Sequence, residues 1–274
     1  MRTKDITVII TTFKSDEKIT SCLDSINKEI KVIIIENSLD ESFKEKVEKL
    51  YLNVECIIPS ENLGYAKGNN LGLKKVKTKY ALVLNPDTII KNDSINNFLN
   101  SAEKNDFTLM GPFNDQKLDF KDKKDIIRVP NLKGFAIFFN MSKFRDLDFF
   151  DENYFLYFEE IDLCKRVEKN KGKIYINPKI NIEHLGASSV SRYLNDEIEK
   201  NRNWHWMWST FYFHKKFNGY FYSLLLVSPK LFSAIIKNIY YFLMLNEKKR
   251  IIYQSRLNGL ISSICGKKSL HRPS

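Results

Sequence analysis

The chain has 274 residues, 43% apolar and 28% charged, with seven prolines, ten glycines and four cysteines; this excludes disordered, collagen-like and low-complexity chains and small disulfide scaffolds. Its formal net charge is +11, but the excess is local. Residues 1–195 carry 31 Lys and Arg against 29 Asp and Glu, whereas residues 196–274 carry 13 against 4.

The opening MRTKDITVII lacks the apolar stretch and cleavage site of a signal peptide, and Cys22, Cys56, Cys164 and Cys265 lack the CxxC spacing of a zinc site. A cytosolic protein with reduced thiols is expected. ITVIITT at 6–12 is a β-branched run suited to a strand buried on both faces. A helix follows from Ser15, an N-cap candidate with Asp16 and Glu17 in the first turn; Ile19, Cys22, Leu23 and Ile26 fall at i, i+3, i+4 and i+7. Next come the apolar run Val32 to Ile35, Phe43, Val47 and Leu50 at helical spacing, and the run Val54 to Ile58. Tyr80 to Leu84 adds a strand, and Ile95, Phe98, Leu99 and Ala102 a further helix. Alternation of this kind predicts an α/β domain with a mostly parallel sheet flanked by helices, whose ligands bind beyond the carboxyl ends of the strands.

The polar residues at those ends are Thr11, Thr12 and Phe13, then Glu36 and Asn37, then Asn85, Pro86 and Asp87. Between them lies NLGYAKGNNLG, whose glycines follow neither GxGxxG nor the P-loop spacing, which disfavours a dinucleotide enzyme or an ATPase. In order, VIITTFK, IIIENSLD, NLGYAKGNNLG, LVLNPDT, FFDENYFLYFEEIDLCKRVEKNKG and IEHLGASS resemble a family 2 glycosyltransferase of GT-A (Rossmann-like) fold, in the rhamnosyltransferase-like branch of bacterial surface polysaccharide synthesis. The likeness covers roughly residues 5 to 215.

The resemblance implies a hexosyltransferase that moves a sugar, with rhamnose one candidate, from a UDP- or dTDP-sugar to a hydroxyl of a lipid-linked or cell-surface glycan, with inversion. Such a transfer needs charge neutralisation on the departing diphosphate and removal of the acceptor proton. Asp87 corresponds to the last acid of the family's DxD element, here Asn85-Pro86-Asp87, and with His184 it would hold Mn2+ or Mg2+; read without the resemblance, NPDT is a turn after a strand and a lone histidine is structural. Glu160 takes the place of the general base, an aspartate in the family, with Glu159 as the alternative. The extra methylene moves the carboxylate by roughly 1.5 Å, and a misplacement of about 1 Å can cost ~100-fold in rate. Glu159, Glu160 and Asp162 also suit the first turn of a helix, and Asp162 can pair with Arg166 at i+4. Glu36 accepts from the N3–H of a uracil-like base in the family. Phe13 is expected to flank or stack on the base with Thr11 beside it, and Lys67 and Asn69 to help hold the ribose-diphosphate region; alternatively Phe13 and Tyr65 are core aromatics and Lys67 a solvated charge.

A basic, amphipathic helical extension is expected over 216–274, after a transferase domain over 1–215. Residues 219–245 are aromatic and apolar but broken by Pro229, Lys230 and Lys237, too short a charge-free run to span a bilayer. Three readings stand: docking on an anionic membrane surface at the inner face of the cell membrane, packing within a helical subdomain or dimer, and a transmembrane helix. Trp204, Trp206 and Trp208 are candidates for stacking on acceptor sugars. The rival function is a non-catalytic membrane-associated protein that binds a nucleotide or glycan. Nucleic-acid binding has only the charge in its favour and no recognised module.

Overall fold

The structure is a computed structural model that describes residues 3–91, 93–113, 126–185, 195–269 and 271–272. Its contacts divide the chain into two compact units, residues 1–151 with 159–191, and residues 152–158 with 192–274.

In the first unit, the strands are β1 (Ile6–Thr12), β2 (Lys31–Glu36), β3 (Val54–Ile57), β4 (Tyr80–Leu84), β5 (Thr88–Ile90), β6 (Leu109–Pro112), β7 (Ile127–Arg128), β8 (Ala136–Asn140), β9 (Ile174–Asn177) and β10 (Ile182–His184). The helices are α1 (Asp16–Asp24), α2 (Glu41–Leu50), α3 (Gly64–Leu73), α4 (Ser94–Lys104) and α5 (Glu159–Lys169). Among the described residues, eight strands form one sheet in the order β3-β2-β1-β4-β8-β6-β9-β7. The β3-β2-β1-β4 half and the β6-β9 pair are parallel; β8 runs antiparallel to β4 and β6, and β7 to β9. The mostly parallel, helix-flanked sheet expected from the sequence is therefore present.

Every residue of β1 and β4 is buried, as runs without polar alternation require of central strands. Periodicity does not single out β6 to β10, which are two to five residues long and carry too few positions to register a period. Ser15 is the N-cap of α1, but its hydroxyl makes no capping bond there and donates instead to the Phe13 carbonyl at 3.1 Å. The cap of α2 is made by Asp40, whose carboxylate accepts from the amides of Ser42 and Phe43 and so lies below the ordinary aspartate range, through the Ser42 hydroxyl first and these amides after it.

The topology feature that matters most for function is a separate two-stranded sheet. β5 follows β4 after the Asn85–Asp87 turn and pairs antiparallel with β10, placing Thr88 opposite His184 and Ile90 opposite Ile182. Ser94 fastens this ribbon: its hydroxyl accepts from the Asn181 amide at 2.9 Å and donates to the Lys91 carbonyl at 2.6 Å.

The second unit holds α6 (Asn195–Asn218), α7 (Tyr220–Leu243) and α8 (Glu247–Ile264). Met207, Phe211, Val227 and Leu260 form its buried apolar centre. Gly259 lets α8 approach α6 closely, since a Cβ there would lie 2.2 Å from the Trp204 carbonyl oxygen. The expected 215/216 boundary falls inside α6; the contacts divide the chain ahead of that helix. No helix among the described residues is long and apolar enough to cross a membrane.

Candidate active site

The carboxyl ends of β1, β2 and β4 carry the first group of residues. Glu36, 1% exposed, ends β2. One carboxylate oxygen accepts from the Ser38 amide at 2.6 Å and the other from the Thr12 hydroxyl. Each oxygen retains a second lone pair, and Glu36 lines a cavity of about 560 Å³ with Lys14, Ser38, Leu39, Asp40 and Phe43. Phe13, the sequence neighbour of Lys14, is half-buried, its ring centroid 5.5 Å from the Lys14 ammonium.

Thr11 and Asn69 are both buried and face each other: the Thr11 hydroxyl donates to Asn69 Oδ1 at 2.9 Å, and the Asn69 amide donates to the Tyr65 carbonyl at 2.9 Å. Asn69 is thus engaged internally, and holds α3 to the end of β1. Lys67 is more open and lies 3.5 Å from Glu61. Asn37, which sequence reasoning leaves without a role, staples the start of α3. Its amide donates to the Gly64 carbonyl at 3.1 Å and its oxygen accepts from the Leu63 amide at 3.2 Å. Gly68 permits this approach, since a Cβ there would lie 2.8 Å from Thr11 Cγ2 and 3.3 Å from Asn37 Nδ2.

The second group forms at the end of β4. The Asn85–Thr88 turn is held by the Thr88 hydroxyl donating to the Asn85 carbonyl at 2.7 Å and by the Asn85 amide donating to the Phe135 carbonyl at 2.9 Å. Cys22 packs beneath, 3.6 Å from the Thr88 hydroxyl, and burial pushes its thiol up to about 11, which makes it an inert core thiol. Asp87 is buried, and its Oδ1 lies 3.3 Å from His184 Nε2. Among the described residues, Asp87 Oδ1 and neighbouring Asn85 Oδ1 are buried oxygens without a hydrogen-bond partner. Burial opposes the Asp87 charge, but the adjacent imidazole outweighs it and holds the carboxyl below the ordinary aspartate range. His184 stacks on Phe135, ring centroids 4.9 Å apart and 13° from parallel, which fixes the imidazole against the carboxylate. The GASS portion of IEHLGASS, residues 186–189, lies outside the described residues.

The third group is on α5. Glu159 is 5% exposed, its Oε2 without a hydrogen-bond partner. Burial, and then the neighbouring Glu160 charge, hold the Glu159 carboxyl well above the ordinary glutamate range, and burial raises Glu160 too. Two adjacent carboxyls of this kind do not both ionise easily. Burial first, and then the charges of Glu159, Glu160 and, last, Asp87, push up the phenol of Tyr65, so Tyr65 joins the α5 acids to the β4 corner. Its hydroxyl donates to the Gly134 carbonyl at 2.5 Å, and Gly134 in turn packs on the Glu160 side chain. Tyr65 also packs edge-on against Phe150, ring centroids 6.0 Å apart, in keeping with the core-aromatic reading, while its hydroxyl end faces the α5 acids. The only available signal for the latter was its position in the GYAKGNN segment.

Asp162 and Arg166 form the expected i+4 pair, Nε to Oδ2 at 2.6 Å, with Asp162 wholly buried. The same guanidinium donates to the carbonyls of Asp148, at 2.6 Å, and Phe149. Next to these, Asn70 brackets Phe150, donating to its carbonyl at 2.8 Å and accepting from its amide at 3.0 Å. Arg166 and Asn70 thus clamp the segment ahead of α5. In the second unit, Tyr157 and Phe158, immediately before Glu159, have φ of 71° and 70°, a costly region for aromatic residues. Trp206 packs on both, 5.3 Å between centroids in each case. Trp204 and Trp208 are buried and Trp206 is 44% exposed, which leaves Trp206 as the tryptophan open to a ligand.

Asp87 and His184 suit a divalent cation: the two ligand atoms are 3.3 Å apart, near the ~3.0 Å expected between neighbouring corners of an octahedron with bonds of about 2.1 Å, and Asp87 Oδ1 has no other use. Among the described residues no group of three or more His, Cys, Asp or Glu side chains converges.

The chain matches the family model Glycosyl transferase family 2 over residues 7–164. It is 23% identical over 192 residues to a low-salt glycan biosynthesis hexosyltransferase of Haloferax volcanii, covering 60% of this chain and 62% of that protein. It is 22% identical to a rhamnosyltransferase of Escherichia coli, covering 65% and 82%. The aligned region thus spans less than two thirds of the archaeal relative. Among solved structures, the mannosyltransferase PcManGT from Pyrobaculum calidifontis, in complex with GDP-Man and Mn2+, superposes with a TM-score of 0.61 at 12% identity, covering 96% of this chain and 88% of that one.

Proposed function

The chain belongs to glycosyltransferase family 2, and from that premise we propose that it is an inverting, metal-dependent transferase moving a sugar from a UDP- or dTDP-sugar to a hydroxyl of a lipid-linked glycan. The observation that carries this reading is the corner at the end of β4, where a buried carboxylate with an unpartnered oxygen meets an imidazole, together with the raised carboxyl pair that opens α5.

Glu36 and the adjoining cavity suit an imide N–H of uracil or thymine. Asp87 and His184 would hold Mn2+ or Mg2+, which when bound supplies charge neutralisation for the departing diphosphate. Glu159, the more deeply buried of the pair, keeps the proton, and Glu160 is the base. As the acceptor oxygen bonds to the anomeric carbon on one face, the bond to the diphosphate oxygen breaks on the other, and the hydroxyl proton passes to Glu160. A base raised by burial towards neutrality suits that transfer. One base, with no positioned nucleophile among the described residues, fits a single displacement. The relatives' names, a rhamnosyltransferase among them, make rhamnose a first donor to test. The basic last third suits work at the inner, anionic face of the cell membrane, where a lipid-linked acceptor is presented.

The test is release of nucleoside diphosphate by the purified chain with Mn2+, a panel of UDP- and dTDP-sugars and lipid-linked acceptors. Glu160→Gln is expected to lower release by about 10²- to 10⁴-fold with donor affinity unchanged. A wild-type chain that binds donors but turns over none overturns the transferase reading and leaves a nucleotide- or glycan-binding protein.

A further inference from the structure

We infer that α7 carries the membrane-docking face, and that it lies in the plane of an anionic leaflet with one defined stripe towards the acyl chains. The inference deepens the membrane-surface reading above and rests on it for the location of the acceptor. Phe221, Leu225, Phe232, Ile236, Ile239 and Leu243 are each 54% to 81% exposed. At 100° per residue these six positions fall within about a 60° arc, over a length of roughly 33 Å. The opposite face is the one that packs: Ser223, Val227 and Ala234 are buried. A continuous exposed apolar stripe of this length on a single helix is far outside the scattered hydrophobics of an ordinary surface.

Charge decides what covers it. Residues 200–246 contain no Asp or Glu but six Lys and Arg. Lys230 and Lys237, both exposed, sit some 100° or more around α7 from the stripe, where they reach headgroups while the stripe is immersed. Lys215 and Lys216 precede the helix and Lys249 follows it, between Lys248, paired with Asp196 at 2.6 Å, and Arg250, paired with Glu247 at 3.5 Å. A second copy of this chain would set the basic segment 200–246, which has no acid of its own, against itself, whereas an anionic leaflet neutralises it. The backbone agrees. Pro229 deprives the Leu225 carbonyl of its helical donor, and the Ser228 hydroxyl takes that place at 2.9 Å. In water a freed carbonyl is solvated; beneath a stripe in lipid it needs an internal partner. With no described helix apolar enough to cross, an in-plane position follows.

The experiment is flotation of the full chain with phosphatidylcholine vesicles with and without 30 mol% phosphatidylglycerol, alongside light scattering and donor turnover on the same samples. Wild type is expected to bind only the anionic vesicles, and Phe232→Ser/Ile236→Ser to weaken binding at least 30-fold with its circular dichroism melt and its UDP affinity in the absence of vesicles unchanged. Leu225→Ser/Ile239→Ser, on the same stripe, should behave alike. Vesicle binding that survives both double substitutions overturns the stripe, and a wild type that ignores vesicles but dimerises through it assigns that face to a second copy. Loss of turnover with vesicle binding intact counts against the transferase reading alone.

Discussion

Arg166→Met isolates the clamp ahead of α5. Asp162 is wholly buried and meets the guanidinium at 2.6 Å; removing the cation leaves a carboxylate in the core without its charge partner, which costs about 3–5 kcal/mol. Loss of the two bonds to the carbonyls of Asp148 and Phe149 adds ~1 kcal/mol each at most, and the contributions overlap, so a loss of about 4 kcal/mol is expected. Against a typical domain stability of roughly 5–15 kcal/mol, that is severe. Trp204, Trp206 and Trp208 all lie in the second unit, so tryptophan emission is the wrong probe. Backbone amide exchange in β8 and α5, by mass spectrometry, reports the right region. Asp162→Asn added to Arg166→Met removes the stranded charge and should recover about half of the loss. A single substitution that costs less than about 1 kcal/mol, or a pair no more stable than the single, refutes the argument, because both follow from stranding a buried charge.

Glu159→Gln tests the carboxyl pair through pH. A glutamate raised in the folded state contributes stability that is full below the ordinary glutamate range and is lost as pH rises through the folded value; glutamine does not titrate, so its melting temperature should exceed wild type at pH 8 and match it at pH 4.5 by calorimetry. Asp87→Asn should lower metal-supported turnover by about 10²-fold or more, and His184→Ala should raise the Mn2+ concentration for half-activation, both read by nucleoside diphosphate release. Gly68→Ala forces a Cβ to 2.8 Å from Thr11 and 3.3 Å from Asn37. It should cost about 1–3 kcal/mol and weaken UDP binding by calorimetry, while a variant with unchanged affinity would detach that corner from the donor.

Local pattern determined much of this protein. The β-branched runs 6–12, 32–35 and 80–84 and the helical spacings between them are properties of neighbouring residues, and they suffice to predict buried parallel strands, the helices between them and the polar positions at their ends. That pattern marks Asp87 and Glu36 as polar residues at strand ends and gives the Asp162–Arg166 pair, one helical turn apart; the roles of Asp87, Glu36 and the α5 acids come from the resemblance and stay proposals. The charge split between body and tail was likewise present in the linear order. Tertiary structure decided what depends on residues far apart. The resemblance names His184 beside Asp87, but local pattern does not: the two meet across 97 positions because two three-residue strands pair antiparallel, and strands that short carry no period. Tyr65 joined the site through a bond to Gly134, and Asn37, Asn70 and Arg166 took their roles from backbone groups of distant segments. The exposed stripe on α7, proposed above to dock, emerges only from which side of the helix is buried. Each of these is set by long-range packing, in which energy depends on who ends up adjacent, and adjacency is what linear order leaves open.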